Sequence, residues 1–171
     1  MEQRQPGGMS ELPLTAVLAV TLMMGFTLVG LLLDGVPSFA TARRILDDFG
    51  NRTEGPLHFR FILQPIMAGL AAAKDGYQDA ATGQRAFGLT VLTDPEKRRG
   101  RLREALVSTS TVILVALAMD AIYQVLVDQT FRPFESVLVA LLLGFLPYVL
   151  LRGPFGRIAG WWTRGDKDPN K

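Results

Sequence analysis

The sequence contains no cysteine and a single histidine. Without thiols it forms no disulfide, holds no thiolate-ligated metal and runs no cysteine-nucleophile chemistry. One histidine, His58, excludes multi-histidine zinc sites and bis-histidine haem ligation within one chain. There is also no Walker loop, dinucleotide fingerprint, HExxH helix or nucleophile elbow. Neither a repeat of the solenoid kind nor the inverted duplication of secondary transporters is visible. A protein without cofactor or metal, and not an enzyme, is the expectation.

Long stretches also lack charge. Of 171 residues, 49% are hydrophobic, and they are gathered into blocks that approach the roughly 20 residues a helix needs to cross a bilayer. Helices satisfy their own backbone hydrogen bonds in lipid. The expected class is therefore all-α, a polytopic membrane protein with four transmembrane helices and a short interfacial helix. The chain reads as one membrane domain over 1–171, with spans at about 12–33, 57–73, 105–127 and 136–151.

Leu12–Leu33 carries no charge. Ser38-Phe39-Ala40 resembles a signal cleavage site, but the apolar core exceeds the roughly 7–15 residues of a signal peptide, and Glu2 and Glu11 oppose Arg4 before it. A retained helix is expected. Leu57–Ala73 is shorter and holds Arg60 and Gln64-Pro65. It spans if Arg60 reaches the headgroups, with a kink at Pro65, and the alternative is a re-entrant half-helix. Ala105–Val127 and Ser136–Leu151 are joined by "DQTFRPFE", short enough to force an antiparallel hairpin, and Gly153-Pro154 is expected to end the last helix.

Lysine and arginine set the orientation. They crowd the 74–104 loop (Lys74, Arg85, Lys97, Arg98, Arg99, Arg101, Arg103) and the 152–171 tail, whereas the 128–135 turn has only Arg132. Both basic segments should be cytoplasmic, as should both termini, in a bacterial inner membrane. The 34–56 loop then lies outside. Within it "PSFATARRILDDFG" reads as a surface helix capped by Ser38, and "NRT" at Asn51–Thr53 matches a glycosylation sequon. "TDPEKRRGRLREAL" reads as a helix capped by Thr93 or Asp94, with Pro95 at its first position, running on into the third span.

Asp120 is the sharpest chemical signal, a carboxylate inside "LVALAMDAIYQVLV". Charged groups inside spans face protein or water and mark either function or polar packing. Gln124 lies one turn on and Tyr123 is adjacent, while Arg60 and Gln64 make a matching pair on the second span. Arg60, Gln64, Asp120, Tyr123 and Gln124 thus form an expected intramembrane polar cluster, with Gln64 donating to Asp120 and Arg60 as counter-charge. Asp75 and Asp79 are read as solvated at a helix end, since two carboxylates fall short of a cation site. Lys97, Arg98, Arg99, Arg101, Arg103, Trp161 and Trp162 are expected at lipid headgroups, the basic ones preferring anionic lipid. Ala68, Gly69, Ala72 and Ala73 give small-xxx-small spacing for close approach of a helix, within the chain or from another. No aromatic interleaving supports nucleic-acid binding.

"RFILQP…KDGYQDA" and "PYVLLRGPFGRIA" resemble stretches of small uncharacterised bacterial inner-membrane proteins. The resemblance covers under half the chain and carries no functional residues. The expected function is an accessory or scaffold subunit of a larger inner-membrane assembly. The alternative is a small oligomeric transporter or channel using the Asp120 cluster, and an enzyme acting on a lipid stands third.

Overall fold

Alternation of apolar blocks with short polar breaks produces a chain that is all-helical apart from its turns, with no strand among the described residues. The computed structural model describes residues 12–36, 39, 43, 47 and 59–165. We label the helices α1 (Leu14–Asp34), α2 (Arg60–Ala81), α3 (Phe87–Thr93), α4 (Pro95–Tyr123), α5 (Pro133–Ala140) and α6 (Leu146–Gly165). A π turn, Gln124–Asp128, extends α4, and another, Leu141–Phe145, joins α5 to α6. The expected surface helix within 38–49, the Ser38–Ala40 cleavage motif and the Asn51 sequon lie wholly or mostly outside the described residues.

Three helical stretches are long and apolar enough to cross a membrane: Leu14–Asp34, Pro95–Val127 and Pro133–Trp162. The second apolar block is not among them. Its helix, α2, has 22 residues and ample length, but Arg60, Gln64, Lys74, Asp75, Gln78 and Asp79 dilute its apolar character. It also runs on to Ala81, beyond the expected end at Ala73, and continues through Pro65.

Local chemistry explains the helix limits. The Asp94 side chain accepts from the Lys97 backbone N–H at 3.2 Å and Pro95 occupies the first turn, so α4 starts where its sequence says and continues unbroken into the apolar stretch. After the π turn, Gln129 adopts the left-handed region at φ 49°, which reverses the chain. Gln124 closes that turn: Arg132 N–H donates to its Oε1 at 2.7 Å and its Nε2 donates to the Arg132 carbonyl at 3.2 Å.

The expected stop at Gly153-Pro154 does not occur, and α6 continues to Gly165. Pro154 removes one internal hydrogen bond. Tertiary packing on both sides outweighs that loss, because Arg152 is buried and Gly156 lies against Gly76 of α2.

Named contacts fix the helix directions. Arg60 meets Asp120 and Asp79 meets Arg101, so α2 runs antiparallel to α4. Tyr148 meets Asp75 and Arg152 meets Asp79, so α2 runs parallel to α6. Ser110 donates to Thr15 at 3.1 Å, which sets α1 beside α4, and Gly30 abuts Phe134, which sets it beside α5 as well. One apolar core joins Ala19, Ile113, Ala116, Leu117, Val137 and Ala140. A second joins Ala68, Ala72, Phe87, Ala105 and Tyr148.

Candidate functional site

A repeat of four along α2 creates the site. Arg60, Gln64, Ala68, Ala72 and Gly76 share one stripe, continued by Asp79, and all six are buried. The stripe is polar at its ends and small in its middle. Small residues let α6 approach closely: a Cβ built on Gly76 would stand 2.8 Å from the Gly156 nitrogen and 2.9 Å from the Arg152 carbonyl. The polar ends meet charges on the neighbouring helices.

At the Arg60 end, the guanidinium forms an ion pair with Asp120 at 2.9 Å, both side chains almost wholly enclosed. Gln124 donates to the other Asp120 oxygen at 2.8 Å. The Tyr123 ring lies 4.8 Å from the Arg60 guanidinium carbon and the Phe61 ring 5.2 Å, so aromatic faces cover the cation. Gln64 does not take the expected place on Asp120. Its amide is 1% exposed, and neither its nitrogen nor its oxygen has a hydrogen-bond partner among the described residues. Arg60 is longer and fills the position in its stead.

At the other end stands a denser cluster that sequence reasoning missed. Asp79 receives two guanidinium forks. Arg101 donates to its two oxygens at 3.0 and 2.7 Å, and Arg152 at 2.9 and 3.0 Å. Glu104 bridges the same pair, accepting from Arg152 at 2.7 Å and from Arg101 at 3.0 Å. Gln84 accepts from Arg101 at 2.8 Å. Arg152 also donates to the Tyr148 hydroxyl at 2.7 Å, which in turn donates to Asp75 at 2.5 Å. The buried Phe87 ring lies 4.7 Å from one guanidinium carbon and 5.3 Å from the other.

Burial penalises an isolated carboxylate, and the two guanidinium forks on Asp79 compensate that cost.

No family model, curated protein or solved structure matches this chain. The arrangement is therefore read from its own chemistry. Both clusters are bidentate or multiply bonded charge pairs, the strong form of the interaction, and they sit at opposite ends of one helix pair. Apart from Gln64, Thr109 and Ser110, the buried residues between them are apolar or glycine.

The remaining candidates divide. Arg101, expected at headgroups, turns inward and is 8% exposed, because Asp79 outcompetes solvent for its fork. Lys97, Arg98, Arg99 and Arg103 are exposed, as are Trp161 and Trp162. Ala68 and Ala72 are fully covered within the chain by its own packing, while Gly69 and Ala73 are half-buried. Of the hydroxyls at 108–111, Thr109 donates back to the Ala105 carbonyl and Ser110 to that of Val107. No group of acidic residues and histidine suited to a metal occurs among the described residues.

Proposed function

We propose that this chain is a four-span protein of the bacterial inner membrane that serves as a structural, accessory subunit of a larger membrane assembly. Inverted amphipathicity supports the membrane class. On α2, Ile62, Leu63, Ile66 and Leu70 are exposed while Arg60, Gln64 and Asp79 are buried, the reverse of a water-soluble helix. Geometry supports α2 as the fourth span. Along α2, Arg60 and Asp79 stand about 28 Å apart, close to the hydrocarbon thickness of about 30 Å. With the Asp79 network at the basic, cytoplasmic surface, the Arg60–Asp120 pair falls near the outer one.

The observation that carries the scaffold reading is what separates the clusters. Ala68, Ala72, Ala105 and Tyr148 on one level and Ile113, Ala116 and Leu117 on the next fill the interior, all of them buried. The charges are joined to each other across helices and fix register, which accounts for Asp120 without a proton path. The unmatched Gln64 amide is the observation favouring the alternative, an oligomeric transporter or channel, because a polar solute would satisfy it.

The full tagged chain, purified in mild detergent, is expected to bring a stable partner chain of different sequence. Asp120→Asn should retain cellular function, since the amide still accepts from Arg60. A lone homo-oligomer whose function disappears in Asp120→Asn without loss of folding overturns the scaffold in favour of transport. Reporter fusions at Asn51, Gly88, Thr130 and the C-terminus should read out, in, out, in; a cytoplasmic signal at Asn51 removes the fourth span.

A further inference from the structure

Where α3 meets the start of α4 there is a polar cleft of about 320 Å³, lined by Arg85, Thr90, Thr93, Asp94, Lys97 and Arg101 among others. Its walls are fixed. Arg98 donates Nε to the Val91 carbonyl at 2.7 Å, tying the last turn of α3 to the first turns of α4. The Thr90 and Thr93 hydroxyls donate to the Ala86 and Leu89 carbonyls of their own helix, so they are not donors for a ligand. Arg101 is engaged by Asp79, Gln84 and Glu104 and supplies a neutralised floor.

Two cations remain at the mouth. Arg85 is exposed, and the Lys97 side chain is 72% exposed, with its ammonium 3.3 Å from Asp94. Asp94 is the one carboxylate lining the cleft; it caps α4, and the Lys97 backbone N–H above all holds it below the usual carboxylate range. It therefore stands ionised as a fixed acceptor beside the two donors. On the same short helix, Leu89 and Leu92 are 49% and 77% exposed. The surface thus combines two cations, one anionic acceptor and an apolar shoulder.

We infer that this cleft binds the headgroup of an anionic phospholipid that carries hydroxyls beyond its phosphate, of the phosphatidylglycerol type. The phosphodiester sits on Arg85 and Lys97, a glycerol hydroxyl donates to Asp94, and the acyl chains lie over Leu89 and Leu92. The inference rests on the membrane reading above and names the lipid that its basic loop would select. Phosphatidylcholine offers the same phosphate but no hydrogen-bond donor for Asp94.

Native mass spectrometry of the full chain in detergent tests this, with phosphatidylglycerol, phosphatidylcholine and glycerol phosphate titrated separately. Phosphatidylglycerol should bind at least about tenfold more tightly than phosphatidylcholine. The double variant Arg85→Gln with Lys97→Gln should weaken it by about 30-fold, from two basic residues near the surface. A matched loss of two exposed charges outside the cleft, Lys74→Gln with Arg157→Gln, should weaken it less than threefold. Equal binding of both lipids by the parent overturns the site. Equal loss in the two double variants reduces it to general surface charge and overturns it as well. If glycerol phosphate binds as tightly as the lipid, the ligand is a free phosphate ester and the lipid assignment fails. Membrane residence is scored separately by alkaline extraction, so a chain that stays in the membrane yet shows no lipid preference refutes the cleft and leaves the membrane reading intact.

Discussion

Helices α1 and α2 are nearly equal in length and opposite in almost everything else. α1 is uniformly apolar, and only Ala16, Ala19 and Gly30 of its 21 residues are buried. Leu14, Met24, Leu32 and Leu33 stand mostly exposed. α2 is far less apolar and yet the better held, with its stripe of polar and small residues locked between α4 and α6. Where the surroundings are themselves apolar, hydrophobicity does not hold one helix to another, and small residues, hydrogen bonds and charge pairs do so instead. Apolar character makes α1 a good span; polarity makes α2 a good neighbour.

The harshest way to break this contrast is to remove the acceptor that both forks share. Asp79→Leu leaves Arg101 and Arg152 buried with only the half-exposed Glu104 to bridge them, and should cost about 3–5 kcal/mol, read as the unfolding midpoint of the purified chain in detergent. No comparable loss is available on α1, where no buried side chain is charged.

Glycines give a subtler comparison. A Cβ at Gly76 would press on backbone of α6, whose position is fixed by Arg152, so Gly76→Ala should destabilise by about 2–3 kcal/mol. At Gly30 the built Cβ lies even nearer its obstacle, 2.6 Å from the Phe134 Cβ. Because α1 is loosely held and can shift outward, Gly30→Ala should cost only about 1 kcal/mol. If the two losses in thermal stability are equal, α1 is as firmly seated as α2 and the contrast fails.

The smallest effect is expected at Gln64. Its buried amide has no hydrogen-bond partner among the described residues, so Gln64→Leu removes an unsatisfied group and should be neutral or stabilising within about 1 kcal/mol. A loss of 2 kcal/mol or more, an order set by the desolvation of an unpaired polar group, would reveal a partner such as bound water.

Much of this was legible in the sequence. The apolar blocks, the Asp94-Pro95 helix start, the hairpin at 128–135 and the proximity of Arg60 to Asp120 can each be read from local pattern or from one long-range match of opposite charges. The Asp79 network cannot. Its partners are 22 and 73 residues away, and Arg101 and Glu104 lie in a run of other charges that look solvated. A signal was nevertheless present in the spacing: Arg60, Gln64, Ala68, Ala72 and Gly76 recur every four residues, and extending that stripe leads to Asp79. Gly153-Pro154 misled for the converse reason, since a local helix-stop signal was overridden by packing between Gly76 and Gly156 that no local pattern reveals.

The placement of charge along α2 also imposes a timetable. Arg60 needs Asp120, and Asp79 needs Arg101 and Arg152, all of which lie later in the chain. A ribosome therefore delivers α2 before any of its counter-ions exist. α1 can enter lipid alone as soon as it is made. On the four-span proposal, α2 gains a stable place only when α4 and α6 have emerged, so these three helices would enter the bilayer as one unit, with the second a late arrival despite its early position.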